Sequence, residues 1–215
     1  MLQAALRYVD EHGLSALSMH KLGAELGVKG MSLYNHVPGK DGLLDGIVEA
    51  MWAEVPLPQE TGTDWRRDVR ALAQTLRDLV HRHPKAAPLL MSRPTMPTPA
   101  LELLDRYLRR LTEGGLPQQR AVELMRTVYG YGIGFALAEL TWMESDAAAP
   151  AGDDLRSFRH VTDLVPAGTP DHLVRTALLL CTGCDMAAQF DLGIDLMLRG
   201  VEAEKAPHRT SRRHQ

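Results

Sequence analysis

Residues 17–47 read LSMHKLGAELGVKGMSLYNHVPGKDGLLDGI, and their periodicity decides the fold. Ser18 stands where a side-chain oxygen caps a helix, and Leu22 and Leu26 follow at helical spacing. Gly27 is placed to stop that helix, because glycine accepts the positive φ of a helix C-terminus without a Cβ penalty. The turn Gly27-Val28-Lys29-Gly30 leads into a short helix over about 31–36, with Leu33 and Val37 inward and Ser32, Asn35 and His36 outward. Pro38-Gly39 breaks the chain before a further helix at about 40–54, whose apolar stripe is Leu43, Leu44, Ile47, Val48 and Met51. Upstream, a helix over about 1–12 sets Leu2, Ala5, Leu6 and Val9 on one face and ends at Gly13. A capped helix, a tight turn and a short exposed helix form the unit that can present one helix to the major groove of duplex DNA.

Outward from this segment the chain stays helical. Residues 55–63, VPLPQETGT, carry two prolines and no periodicity and mark a boundary. Asp64 caps a long helix in which Trp65, Val69, Leu72, Leu76, Leu79 and His83 form one core-facing stripe. After the break SRPTMPTP at 92–99, Thr98 and Pro99 suit N-cap and first-turn positions, and Leu101, Leu104, Leu108 and Leu111 mark a helix stopped by Gly114-Gly115. Pro117–Met143 is apolar on every face, interrupted by Glu123, Arg126 and Glu139, and a last helix over about 171–203 repeats the pattern, with Phe190 and Ile194 in its stripe. Helices apolar all round must be covered on all sides, and a second copy packed through both is the economical cover. The segment 145–170 reads as a mobile loop. The expected architecture is all-α: a three-helix module at 1–55, a larger helical domain at 64–203 and a disordered basic tail at 204–215.

Composition sets further limits. The chain has 215 residues, 45% of them hydrophobic, and a net charge of −3. No uninterrupted apolar run reaches membrane-spanning length, and the first residues lack the charged-then-apolar design of a signal peptide. Two cysteines, Cys181 and Cys184, fit buried thiols in a reducing compartment, so a cytoplasmic setting is expected. Within the first 55 residues Arg7, Lys21, Lys29 and Lys40 face Asp10, Glu11, Glu25, Asp41, Asp45, Glu49 and Glu54. A positive face there must come from placement rather than totals. No nucleophile elbow, zinc-protease helix or phosphate-loop lysine is present, so neither enzyme chemistry nor a cofactor nor a metal is expected. Gly130-Tyr131-Gly132-Ile133-Gly134 follows no strand and reads as close helix packing.

The segment 17–47 resembles the DNA-binding domain of the TetR family of transcriptional regulators. The motifs are Leu22 and Leu26, the Gly27-Val28 turn, Ser32-Leu33-Tyr34, His36-Val37 and Lys40. HPKAAPLLMSRP at 83–94, GYGIGFALAEL at 130–140 and FDLGIDLMLRGVE at 190–202 are similar to the family's effector-binding and dimerisation domain. The resemblance implies a homodimer, through the helices at about 117–143 and 171–203, that reads a palindromic operator and is released by a small molecule. Its candidate DNA-binding residues are Ser18, His20, Lys21, Lys29, Met31, Ser32, Tyr34, Asn35, His36 and Lys40. Asn35 can pair with adenine, Ser32 with either base type, and Met31 can touch a thymine methyl. Tyr34, His20, Lys21 and Lys40 occupy positions that face phosphate in the family. Candidate effector-cavity residues are His83, Tyr107, Met125, Tyr129 and Trp142. Two departures stand out. Gly30 and Met31 replace the base-reading polar and proline residues of tetracycline repressors, and the metal-binding histidine of those repressors aligns with Leu89. A different operator and a ligand other than magnesium–tetracycline are therefore expected. The competing reading is a helix-turn-helix activator or assembly factor with no effector.

Overall fold

The structure is a computed structural model describing residues 1–58, 64–147, 165–181 and 185–205, with side chains of 142–147, 181 and 203–205 outside the described set. Among the described residues every regular element is helical. The helices are α1 (Leu2–His12), α2 (Met19–Glu25), α3 (Gly30–Leu33), α4 (Gly39–Ala53), α5 (Trp65–Arg82), α6 (Pro88–Ser92), α7 (Thr98–Glu113), α8 (Gln118–Ala147), α9 (Asp171–Cys181) and α10 (Met186–Lys205), with a single 3₁₀ turn at Leu14–Ala16. No described helix is long and apolar enough to cross a membrane. The expected mobile loop falls mainly, and the basic tail almost wholly, on residues outside the described set, as do Cys184 and the Cys181 side chain.

The chain divides into two compact units, Met1–Leu140 and Thr141–Gln215. The division falls within α8 rather than in the proline-containing segment after α4. The reason lies in α4, which packs on α1 and also on α6 and α7. In the first unit Leu6, Val9, Leu22, Leu43, Ile47 and Met51 are buried, and the α5 stripe from Trp65 to Leu79 is buried as its spacing demands. The two capped starts form as the sequence implies: Ser18 Oγ accepts from the Lys21 amide (3.2 Å) and Asp64 Oδ1 from the Arg66 amide (3.1 Å). At α7 the cap differs by one residue, with Pro97 as the N-cap and Thr98 already helical.

Three expectations are revised. The short helix at 31–36 is α-helical only over Gly30–Leu33; Tyr34, Asn35 and His36 continue as turns whose amides reach Met31, Ser32 and Leu33 carbonyls, three residues back. Such tighter geometry is usual at a helix end. The single helix at 171–203 is two, because Asp185 starts α10 anew: its Oδ1 accepts from the Ala188 amide (3.1 Å) and its carbonyl from the Gln189 amide (2.9 Å). In α7, Leu111 lies in the core with Ala100, Leu103 and Tyr107, whereas Leu101 is exposed and Leu104 and Leu108 half-buried. The leucines whose spacing marks the helix thus belong to two faces.

Glu139, one of the three interruptions of α8, is buried and tied to α5. Arg77 donates through Nε (2.8 Å) and Nη2 (2.6 Å), and His81 Nε2 lies 2.8 Å from the same carboxylate. Burial pushes this carboxyl upward, but the Arg77 and His81 hydrogen bonds outweigh it and hold it below its ordinary value of 4.5. A carboxyl depressed in the folded state stabilises above the unfolded value, and that stabilisation is lost as pH falls through the folded one. The stability gap between the native chain and Glu139→Gln, followed by urea unfolding, is expected to be constant above about pH 5 and to close on acidification. Gly132, two turns before Glu139, lets α5 approach: a Cβ there would stand 3.2 Å from Leu76 Cβ.

Candidate DNA-reading surface and ligand cavity

The crossing of α2 and α3 is made by two glycines, Gly30 of the turn and Gly23 of α2. A Cβ on Gly23 would lie 2.8 Å from the Gly30 amide nitrogen and 2.9 Å from the Val28 carbonyl oxygen. One on Gly30 would lie 3.1 Å from the Met19 carbonyl oxygen. The Val28 amide donates to the Gly23 carbonyl (2.9 Å), and Gly27 takes φ +67° in between. The turn holds α3 off α2 while Leu33 and Val37 anchor it below.

What remains outside is the surface expected from sequence. Met31 is 76% exposed and Tyr34 is 52% exposed. His20, Lys21, Lys29, Ser32, Asn35, His36 and Lys40 are exposed beside them, and Ser18 is half-buried at its cap. Met31 on α3 and Tyr34 just past its end thus leave half or more of their surface outside the chain's own packing. They suit contact with an external partner.

The acidic excess of this region is answered from elsewhere in the chain. Arg93, just past α6, donates through Nε to Asp45 (2.8 Å) and through Nη1 to Asp41 (2.9 Å), and Nη2 reaches the Asp41 carbonyl (3.2 Å). Its hydrogen bonds to Asp45 and then Asp41 hold the guanidinium well above its usual value. His83 lies buried between Asp10 (Nδ1, 2.8 Å) and Glu54 (Nε2, 2.9 Å). Asp10, Asp41, Asp45 and Glu54 are thereby engaged by groups outside the module, while Lys21, Lys29 and Lys40 share the exposed surface with Glu11, Glu25 and Glu49.

A cavity of about 490 Å³ opens between α7 and α8. Leu101, Leu104 and Leu108 line one wall and Val122, Met125 and Tyr129 the other, with Met96 at one end and Asp105 and Arg126 as its charged groups. Of the residues expected to line a ligand cavity, Met125 and Tyr129 do so. Tyr107 is buried on α7; burial raises its phenol, which hydrogen-bonds Thr75 of α5. His83 is committed to its two carboxylates, and the Trp142 side chain lies outside the described residues. Tyr129 also reaches beyond the cavity. Its hydroxyl donates to the Leu90 carbonyl of α6 (3.2 Å) and its ring stacks with Trp52 of α4, centroids 6.3 Å apart and planes at 15°. Arg93 and Trp52 escaped the sequence reading, because nothing local marks a cap residue or a core tryptophan as a link between helices.

Residues 1–47 match the family described as bacterial regulatory proteins, tetR family, and residues 57–205 match the tetracyclin repressor-like C-terminal domain. The chain belongs to the TetR family. An HTH-type transcriptional regulator of Saccharopolyspora erythraea is 31% identical over 94% of this chain and 83% of that protein. The HTH-type transcriptional repressor DrrR1 of Streptomyces coeruleorubidus is 32% identical over 68% of this chain and 54% of its own length. Among solved structures, the Streptomyces coelicolor TetR family protein ActR in complex with (S)-DNPA superposes with a TM-score of 0.73 at 25% identity, over 94% of this chain and 95% of that one. As a TetR-family protein the chain is a DNA-binding transcriptional regulator, and the Met31–His36 face belongs to its helix-turn-helix.

Proposed function

We propose that this TetR-family chain is a repressor that binds a palindromic operator as a homodimer and leaves it when a small molecule enters the α7–α8 cavity. Residues 1–55 serve as the DNA module, and 64–203 bind the effector and dimerise. The position of Tyr129 carries the reading: one ring forms a cavity wall, holds the α6 backbone and stacks on the tryptophan of α4, the helix that follows the recognition turn. A ligand that displaces this ring biases α4 and hence the spacing of the two recognition helices. A useful switch needs a differential affinity of a few kcal/mol between the two states. Ligand-bound ActR and the repressor name of DrrR1 support the same reading. Dimerisation uses the faces left open by α9 and α10. Leu179 is 77% exposed, and Leu180, Leu192 and Leu196 are also exposed, whereas Phe190 and Ile194 are buried within the chain. The absence of a spanning helix among the described residues suits a cytoplasmic regulator.

On the DNA side, Ser32, Asn35, His36 and Met31 read base edges, while Ser18, His20, Lys21, Lys29, Tyr34 and Lys40 hold phosphates. Lys40→Ala is expected to weaken binding to every sequence alike and to lower the salt slope by about one. Ser32→Ala and Asn35→Ala should instead relax base preference at single positions, at a cost of about 1–3 kcal/mol for the preferred base. Fluorescence-anisotropy titrations against salt and against operator variants separate the two classes. An unchanged slope removes Lys40 from the phosphate contacts, and untouched preferences place readout on other side chains.

A further inference from the structure

The α7–α8 cavity is almost wholly apolar, and its charge is not balanced. Two charged side chains line it, Asp105 from α7 and Arg126 from α8. Asp105 is already held by Arg109, one turn further along α7, through Nη2. Arg126 makes no hydrogen bond or ion pair among the described residues. Its neighbour one turn back, Glu123, is occupied by Gln119 (3.1 Å) and Arg120 (2.8 Å), and those bonds lower its carboxyl below the usual range. Counting Asp105, Arg109 and Arg126 together, one positive charge is in excess beside the cavity, and Arg126, within electrostatic reach of Glu123 but not hydrogen-bonded to it, keeps its five guanidinium donors available. Tyr129 also lines the cavity, and its hydroxyl donates to Leu90 while its oxygen keeps acceptor capacity only.

We infer that the effector is an anionic amphiphile: an apolar, ring-sized body seated among Leu104, Leu108, Met125 and Tyr129, with a carboxylate, phenolate or sulfonate on Arg126. The volume, about 490 Å³, falls in the range of small-molecule sites, and walls of this composition reward apolar area while one placed charge sets orientation. Arginine suits the task because its planar fork meets an oxyanion through two parallel donors. A cationic or metal-chelated ligand would place positive charge against Arg126, with Asp105 already spent on Arg109. Such a ligand is disfavoured.

This inference rests on the reading of the cavity as the effector site, and the test separates the two. Two probes share one aromatic body: 8-anilinonaphthalene-1-sulfonate, which is anionic, and N-phenyl-1-naphthylamine, which is neutral. Both are titrated by fluorescence into the full-length native chain, Arg126→Gln, Arg126→Lys and Met125→Trp, the last of which fills the cavity. Arg126→Gln is expected to weaken the anionic probe about tenfold, the size of one charge-assisted contact in a partly exposed site, and to leave the neutral probe within about twofold. Arg126→Lys should restore most of the loss, since the charge returns without the fork. Met125→Trp should expel both probes. If Met125→Trp expels both but Arg126→Gln alters neither, the cavity stands and the anionic class is overturned. If Met125→Trp expels neither, the probes bind elsewhere, and the cavity reading falls together with the inference built on it.

Discussion

Gly23→Ala is expected to weaken operator binding and lower thermal stability, although a glycine-to-alanine change inside an ordinary helix stabilises by about 0.5–1 kcal/mol. The sign reverses because the new methyl has nowhere to go. Its nearest neighbours would be the Gly30 amide nitrogen at 2.8 Å, Gly30 Cα at 2.9 Å and the Val28 carbonyl oxygen at 2.9 Å, all of them backbone. A flexible side chain would yield, but here α3 must move off α2 as a body and break the Val28–Gly23 hydrogen bond. Overpacking of this kind costs about 1–3 kcal/mol, and a shift of α3 also takes Met31, Ser32 and Asn35 out of register with the groove. The expected loss of operator affinity is at least tenfold, or about 1.4 kcal/mol. Calorimetry and anisotropy on the variant check both halves.

The second large effect concerns Arg77→Ala. Glu139 is 2% exposed and takes two hydrogen bonds from this guanidinium, with His81 as its remaining partner. Removing the arginine leaves a buried carboxylate short of its main counter-charge, which costs about 3–5 kcal/mol in comparable buried pairs. For a chain stabilised by about 5–15 kcal/mol that is a large fraction. The paired replacement Arg77→Met with Glu139→Leu should recover most of the loss, because apolar groups of similar volume need no partner. If the single and double variants unfold at the same urea concentration, α5 and α8 are held by packing alone.

The parts of the fold legible in the sequence were those written in local chemistry. Ser18 and Asp64 announce caps, the Trp65-to-Leu79 stripe announces one buried face, and Leu33 and Val37 announce which side of the recognition segment is inward. Features that depend on two distant segments were not legible. Asp41 and Asp45 look like an acidic liability until Arg93, 48 residues beyond Asp45, is seen to hold them. His83 looks like a stripe residue with a free polar tip, yet its partners Asp10 and Glu54 lie 73 and 29 residues away in sequence. In α7 the spacing of Leu101, Leu104 and Leu108 is the same whether they face a core or a cavity. The signal that could have separated them was the second apolar set on the same helix, Ala100, Leu103, Tyr107 and Leu111: one helix with two apolar faces has one too many for a core alone. The break before α10 was hidden by the apolar pattern that continues on both sides of Asp185, and the competing side-chain acceptor of Asp185 betrays it.

The central claim is that two copies of the Met31–His36 face read one two-fold symmetric site. Selection of the full-length chain on a randomised duplex library at about physiological salt, followed by sequencing, addresses it directly. The account predicts enrichment of an inverted repeat whose half-sites are separated by about one helical turn or a small multiple of it. Binding without enrichment, disappearing as salt rises, would contradict it, because contacts to phosphate alone carry no sequence information.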